Sequence, residues 1–385
     1  MRAAARTAAQ QDDFAVTAIA AAIETVIALF AREGYGRAEP AILQPADVFL
    51  DLSGEDIRRR IFMTQDAEGR DWCLRPEYTI PVALQHLASG SREPASYGYA
   101  GPVFRMRAQE PGEFAQAGIE SFGRSDFSAT DAEIMALTLE AAAALGLSAP
   151  KIQMGDVALL DALLDGLAVP PAARRRLMRA VVQGKGAEAV FALDAPEAQS
   201  EAAHAGLLKA LEGQDPKAAR AFVEDVLSIA GISTVGGRTA GDIAERFLAR
   251  AAERENPVNA EVKALLAQAL AVTGDPDTAS AALRGLAEQA SLDLARQLDA
   301  FDERTGFLAV RGVDVTQIAF TPAFARNLDY YTGFIFELHD PARPEQKPVA
   351  GGGRYDHVLG RLGAESAIPA VGASLWLDRL TGDRA

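Results

Sequence analysis

Gln116-Ala117-Gly118-Ile119-Glu120-Ser121-Phe122 is the stretch on which the fold turns. Its apolar residues alternate with polar ones at period two, the signature of a strand with one face against a core. Gln116, Gly118 and Glu120 then share one face, with the glycine between the two polar side chains. A glycine there leaves a floor free of side chain, room for a small ligand. A carboxylate on a covered sheet face is costly unless cationic or N–H groups reach it. Glu120 is therefore the first candidate functional residue.

Working outward, Tyr97 to Arg107 pairs with Phe114 to Arg124 as a hairpin, Pro111-Gly112 supplying the turn. Upstream, Asp12 and Asp13 can cap a helix from Phe14 to Arg32 that Gly34 stops. Tyr35 to Leu52 suits extended structure. Arg58 to Leu74 reads as a second hairpin around Asp66-Ala67-Glu68-Gly69, and Thr79 to Ser89 has helical spacing. Residues 129 to 300 are rich in Ala, Leu, Glu and Arg at helical periods, with one short strand at Lys151 to Met154. The β pattern returns at Leu308 to Arg311, Gln317 to Phe320 and Gly333 to Leu338. A Gly351-Gly352-Gly353 loop, a helix near Tyr355 to Leu362 and a last segment from Ala370 to Leu380 follow. The pattern predicts an α+β fold with a mainly antiparallel sheet flanked by helices. Its core is residues 1–150 and 306–385, and residues 151–305 form an inserted, mostly helical domain.

Composition narrows the function. The 385 residues carry 38 Lys and Arg against 53 Asp and Glu, a net charge of −15, which argues against a nucleic-acid binder. Hydrophobic residues at 49% and charged ones at 24% fit a globular chain rather than a disordered one. One cysteine, Cys73, and four histidines make a disulfide framework or a metal centre a poor expectation. The Ala-rich start with Arg2 and Arg6 has some likeness to a transit peptide, yet no secretory signal or membrane span is expected. The cytoplasm is the expected address.

No phosphate loop, dinucleotide fingerprint or nucleophile elbow is present. The triple glycine could cradle an anion, admit a ligand's backbone or simply make a tight turn. Glu77 in Arg75-Pro76-Glu77-Tyr78-Thr79 is a second candidate acid, and Arg105 a candidate anion partner. Arg326, Asp329, Tyr330 and Tyr331 form a polar and aromatic knot before a strand. Taken singly, each also fits a structural salt bridge or an exposed position. Together they specify a pocket for a zwitterion.

The string Cys73-Leu74-Arg75-Pro76-Glu77-Tyr78-Thr79, Gly101-Pro102-Val103-Phe104-Arg105 and Gln116 to Gly123 resembles the class II histidyl-tRNA synthetase core. So do Arg326-Asn327-Leu328-Asp329-Tyr330-Tyr331-Thr332-Gly333, Gly352-Gly353-Arg354-Tyr355-Asp356 and Ala370-Val371-Gly372 through Leu377-Asp378-Arg379. The likeness covers roughly residues 14 to 150 and 315 to 381. It implies that Glu77, Gln116 and Thr79 hold the α-ammonium of histidine. It implies that Glu120 with Tyr330 or Tyr331 reads the imidazole, and that Arg105 and Arg326 meet the carboxylate. A carboxylate and a phenol can bracket both ring nitrogens, and charged hydrogen bonds at each end of the amino acid confer selectivity.

The departures from that family direct the functional expectation. An anticodon-binding domain is expected to be absent. Arg107 stands where the family carries a carboxylate, and Trp376 where it carries a glycine, so an indole should crowd the floor for adenine. This combination resembles the synthetase-like regulatory subunits of ATP phosphoribosyltransferase, in the first step of histidine biosynthesis. The resemblance implies a non-catalytic protein without cofactor. It would bind L-histidine, form a homodimer through Tyr35 to Phe49, and join the short-form catalytic subunit in a hetero-oligomer, supporting its activity and carrying feedback inhibition. No tRNA and no membrane partner are expected. The alternative is an enzyme that adenylates histidine without tRNA, against which Arg107 and Trp376 speak.

Overall fold

The computed structural model describes residues 2–52, 59–91, 93–107, 110–193, 221, 225, 234–235, 238–239, 258–326 and 331–381. Helix α1 spans Arg2–Arg32 and so begins well before Asp12. Residues 2–11 are rich in Ala, with Arg and Gln, good helix formers that carry the helix back past Asp12. The helix buries Ala22, Val26, Leu29 and Phe30, a stripe at helical spacing, and ends at Gly34, whose φ of +89° suits a residue without Cβ.

After α1 come β1 (Gly36–Arg37), β2 (Leu43–Pro45) and α2 (Ala46–Leu52), then β3 (Met63–Gln65) and β4 (Asp71–Leu74). The expectation of extended structure through Leu52 is corrected at its end. Residues 46–52 are helical because Ala46, Phe49 and Leu52, three apart, all face inward. Strands β2, β4 and β3 make a small antiparallel sheet around the Asp66 turn. Helix α3 (Thr79–Ala88) leads to the long hairpin β5 (Ala95–Phe104) and β6 (Glu113–Phe122). Then follow α4 (Phe127–Ala144), β7 (Lys151–Asp156), α5 (Val157–Gly166) and α6 (Pro171–Val182). Further on lie β8 (Thr234–Val235), β9 (Arg238–Thr239), α7 (Ala260–Ala271), α8 (Pro276–Ala290) and α9 (Ala295–Val310). The chain closes with β10 (Ile318–Phe320), β11 (Phe334–His339), β12 (Ala350–Arg354), α10 (Val358–Arg361), β13 (Ala370–Trp376) and α11 (Leu377–Thr381).

Two further expectations are corrected. Leu308 to Arg311 is no strand: Leu308 continues the buried stripe Leu298, Phe301 and Thr305 of α9. The triple glycine is no loop but the middle of β12, a buried strand hydrogen-bonded on both sides. A Cβ at Gly352 would overlap the Gly372 carbonyl oxygen, so only glycine lets these strands lie so close. The helix expected over Tyr355 to Leu362 is reduced to the single turn α10.

The central sheet runs β1-β5-β6-β13-β12-β11-β7-β10. It is antiparallel throughout except at its two edges, where β1 joins β5 and β10 joins β7 in parallel. Strands from both ends of the chain therefore alternate in one sheet, with β13 beside β6. The back face, lined by Ala117, Ile119, Ala373, Leu375, Phe336 and Met154, packs on α1 and α4 in the main apolar core. A buried ionic cluster crosses the same side. Asp131 on α4 accepts from Arg354 at 2.6 Å and from Arg304 of α9 at 3.2 Å, while Arg304 also reaches Asp156 at 2.6 Å. The front face carries Gln116, Gly118 and Glu120.

Among the described residues no helix is long and apolar enough to cross a membrane, and no group of His, Cys, Asp and Glu could hold a metal ion.

Candidate functional site

Register assembles the front face. Glu120 lies between Tyr97 on β5 and Gly372 on β13, Gly118 between Tyr99 and Ser374, and Gln116 between Gly101 and Trp376. Directly opposed residues of antiparallel strands share a face, so all of these line one surface. On β12 and β11 the surface continues through Gly351, opposite both Ser374 and Glu337.

Glu120 is buried at 1% exposure, and three hydroxyls converge on it. Thr79 Oγ1 donates to Oε1 at 2.8 Å and Tyr99 OH at 3.2 Å, while Tyr355 OH donates to Oε2. The carboxyl spreads over Gly372, where an added Cβ would overlap Oε2. Burial pushes its pKa up to about 8; the Tyr355 and Thr79 hydroxyls pull down and the nearby Glu77 pushes further up.

Glu77 sits just ahead of α3, and its carboxylate accepts from the backbone N–H of Thr79 and, at 3.0 Å, of Ile80. These are orphan donors of the first helical turn, so the acid caps the helix and the helix end favours its charge. Burial nonetheless raises its pKa, against the two N–H groups and the pull of Arg105. Thr79 thus joins the two acids, its N–H on one and its hydroxyl on the other. Gln116, 2% exposed, has its Oε1 buried without a hydrogen-bond partner. An amide carbonyl left in that state is an acceptor awaiting a donor.

The expected cationic partners behave differently from one another. Arg326 lies across Gly351, where a Cβ would overlap its Nη1, and pairs with Glu337 at 2.9 Å. Its guanidinium is 5.9 Å from the Tyr331 ring centroid and 5.8 Å from that of Trp376. Burial raises the Tyr331 phenol, with Arg326 pulling it down and Glu120 pushing it up, which puts this tyrosine electrostatically within the site. Arg105 instead donates from Nε to the Pro76 carbonyl at 2.6 Å, close enough to Glu77 to favour its charge. Tyr330 lies outside the described residues.

Six of the eight candidates, Glu77, Thr79, Gln116, Glu120, Arg326 and Tyr331, therefore meet on one face, with Arg105 at its rim. The floor at Gly118 is not open: the Tyr99 hydroxyl occupies the place a Cβ would take and bonds Ser374 Oγ at 2.8 Å. Tyr99 in turn stacks on Tyr78 at 4.4 Å. Sequence reasoning did not single out Tyr99, Tyr355 or Glu337. Tyr355 was within reach, as the residue after the Gly-Gly-Gly-Arg run. Tyr99 and Glu337 become visible only once strand register is known.

Trp376 ends β13 on this same face, 7% exposed, its ring flanked by Arg326 and, at 4.9 Å, by Arg379. Next to it Arg107 pairs with Glu110 at 2.6 Å and lies over the Phe114 ring at 4.0 Å. The arrangement offers acceptors at one end, guanidinium at the other and an indole beside them. It can hold a small zwitterion.

Comparison with known proteins places the fold and the family. A family model described as histidyl-tRNA synthetase matches residues 13–233 and 241–380. A curated relative from Brucella canis, an ATP phosphoribosyltransferase regulatory subunit, is 39% identical over 344 residues, 89% of this chain and 91% of that protein. The Brucella ovis protein of the same name is 38% identical over the same length. Among solved structures, an ATP phosphoribosyltransferase regulatory subunit/histidyl-tRNA synthetase from Bacillus halodurans shares the fold at TM-score 0.63 and 20% identity. That match covers 95% of this chain and 79% of the other. A histidine–tRNA ligase subunit from Alicyclobacillus acidocaldarius matches at TM-score 0.58 and 24% identity, covering 95% and 92%.

Proposed function

The chain belongs to the family of ATP phosphoribosyltransferase regulatory subunits, built on the histidyl-tRNA synthetase fold, and from that premise we propose that it is a non-catalytic histidine sensor. It binds L-histidine and joins a short-form catalytic subunit, supporting its turnover and transmitting feedback inhibition. The observation that carries this reading is the buried pair Glu77 and Glu120, bridged by Thr79, beside the unpartnered Gln116 carbonyl. A cluster of acceptors with so little positive charge in contact calls for a ligand that brings N–H donors and a cation.

In the proposed complex the α-ammonium sits among Glu77, Gln116 and Thr79. The ring N–H groups face Glu120, with Tyr330 or Tyr331 on the other nitrogen. The ligand carboxylate draws Arg326 from Glu337, with Arg105 adding positive potential from the rim. Trp376 occupies the surface beside Gln116 where a nucleoside would extend, and Arg107 replaces an acid there, which supports loss of adenylation. Sensing requires that histidine bind one quaternary state more tightly, by ~1–3 kcal/mol for typical coupling. We assign the two-part core, 1–150 with 306–385, to ligand and self-association through Tyr35 to Phe49, and the helical block 151–305 to an insert that reaches the sheet through β7.

The test is co-purification with a short-form catalytic subunit and assay of its turnover with and without histidine. Complex formation, faster turnover and inhibition by histidine that Glu120→Ala abolishes are the expected results. Histidine-dependent exchange of labelled pyrophosphate into ATP by this chain alone would overturn the non-catalytic reading.

A further inference from the structure

We propose that the empty pocket stores one proton on the Glu120 carboxyl and that the ammonium of the incoming amino acid replaces it, leaving the charge at the Glu77–Glu120 pair unchanged. The idea rests on the amino-acid-binding reading above and specifies how the charge of that ligand is recognised.

The geometry supplies the argument. Among the described residues, every group hydrogen-bonded to the Glu120 carboxyl is a neutral hydroxyl: Thr79 from α3, Tyr99 from β5 and Tyr355 from the end of β12. Among the described residues no Lys, Arg or His forms an ion pair with it or with Glu77. Tyr97, directly opposite on β5, turns its hydroxyl to His86 at 3.0 Å instead. The charged groups farther off are already engaged. Arg326 is on Glu337, and Arg105 acts on Glu77 from the Pro76 side.

Two like-charged, fully buried acids joined by one threonine cannot both ionise cheaply without a counter-charge. Glu77 has two backbone N–H groups and a helix end to support its anion; Glu120 has hydroxyls alone. The proton therefore rests on Glu120, in keeping with its pKa of about 8, and the Tyr99 hydroxyl can accept it by turning its own hydrogen to Ser374 Oγ or the Ala373 carbonyl. The unpartnered Gln116 Oε1 marks where a new donor arrives. An ammonium placed among Gln116, Glu77 and Thr79 supplies the missing positive charge. Glu120 then gives its proton to water and, as a carboxylate, accepts an N–H from the neutral imidazole. Charge balances at the two acids, where one ammonium enters and one proton leaves to water; the ligand carboxylate brings its own negative charge, which Arg326 meets, and no bond between heavy atoms is made or broken.

The experiment joins two measurements on the full chain. The first is infrared difference spectroscopy of wild type against Glu120→Gln, a shape-preserving mimic of the protonated acid. The empty wild type should show a protonated-carboxyl band at neutral pH that Glu120→Gln lacks and that saturating histidine removes. The second is calorimetry in buffers of different ionisation enthalpy at about pH 7.5, where free histidine has a neutral ring and a charged ammonium. Release of roughly three-quarters of a proton per bound histidine is expected there, with affinity rising about tenfold per pH unit below the Glu120 pKa. Glu120→Gln should bind without release, and so should 3-(imidazolyl)propionate, which lacks the ammonium. No such band in the empty protein, or a band that persists with histidine bound and no proton release, overturns the exchange while leaving histidine binding standing. Absence of any histidine binding overturns the exchange and the amino-acid reading together.

Discussion

Replacing Gly372 with alanine tests the pocket at its tightest point. Gly372 faces Glu120 across the β6–β13 pair, and the new methyl would overlap Glu120 Oε2 and stand 2.7 Å from the Ile119 carbonyl oxygen. That oxygen belongs to the sheet and cannot retreat, so the carboxyl must swing away. Tyr355, Thr79 and Tyr99 then lose their shared acceptor, and each buried donor left unsatisfied costs about 1–3 kcal/mol. If two of the three find no substitute, Gly372→Ala destabilises the empty protein by about 2–6 kcal/mol. Loss of a charged acceptor for the imidazole removes a further ~1.5–3 kcal/mol of binding, about ten- to a hundredfold in Kd for histidine. Urea denaturation and calorimetric titration read the two effects. Gly360→Ala is the control, since nothing lies within 4 Å of a Cβ there and its φ is ordinary. A Gly372→Ala protein as stable as that control, with wild-type histidine affinity, would refute the assignment of this face.

Three other outcomes follow from the same geometry. Glu120 holds its proton more tightly folded than unfolded, so its contribution to stability is full below about pH 4.5 and is lost as pH rises through about 8; denaturation of Glu120→Gln across that range should lack this part of the slope. Gln116→Leu removes a buried carbonyl that has no partner, so the empty protein gains about 1 kcal/mol in thermal or urea unfolding while histidine affinity drops about tenfold. Arg304→Met leaves Asp156 without its cation on the back of the sheet, while Asp131 keeps Arg354, and costs about 3–5 kcal/mol in a denaturant series, with Asp156→Asn in the same chain recovering part of it.

What the amino-acid order determined by itself is what short-range periodicity carries. The alternation in Gln116 to Phe122 placed Glu120 and Gln116 on one face of a strand, and the hairpin and Thr79 helix followed from turn residues and spacing within a dozen positions. The ordered motifs then brought Glu77, Thr79, Arg326 and Tyr331 into the same account. Periodicity alone misread Leu308 to Arg311, where four residues cannot distinguish a strand from the last turn of a helix.

Tertiary structure decided everything that depends on which strands become neighbours. Tyr355 reaches Glu120 from 235 positions away, and Tyr99 fills the space above Gly118 only because β5 pairs in that register. The glycines of β12 read as a turn until the sheet shows that Arg326 and the adjoining strands occupy the space their side chains would need. Strand order is fixed by burial of whole faces against α1 and α4, a long-range condition on the entire chain. No local window of sequence contains that information, so the donors around a buried acid become known only when the sheet is closed.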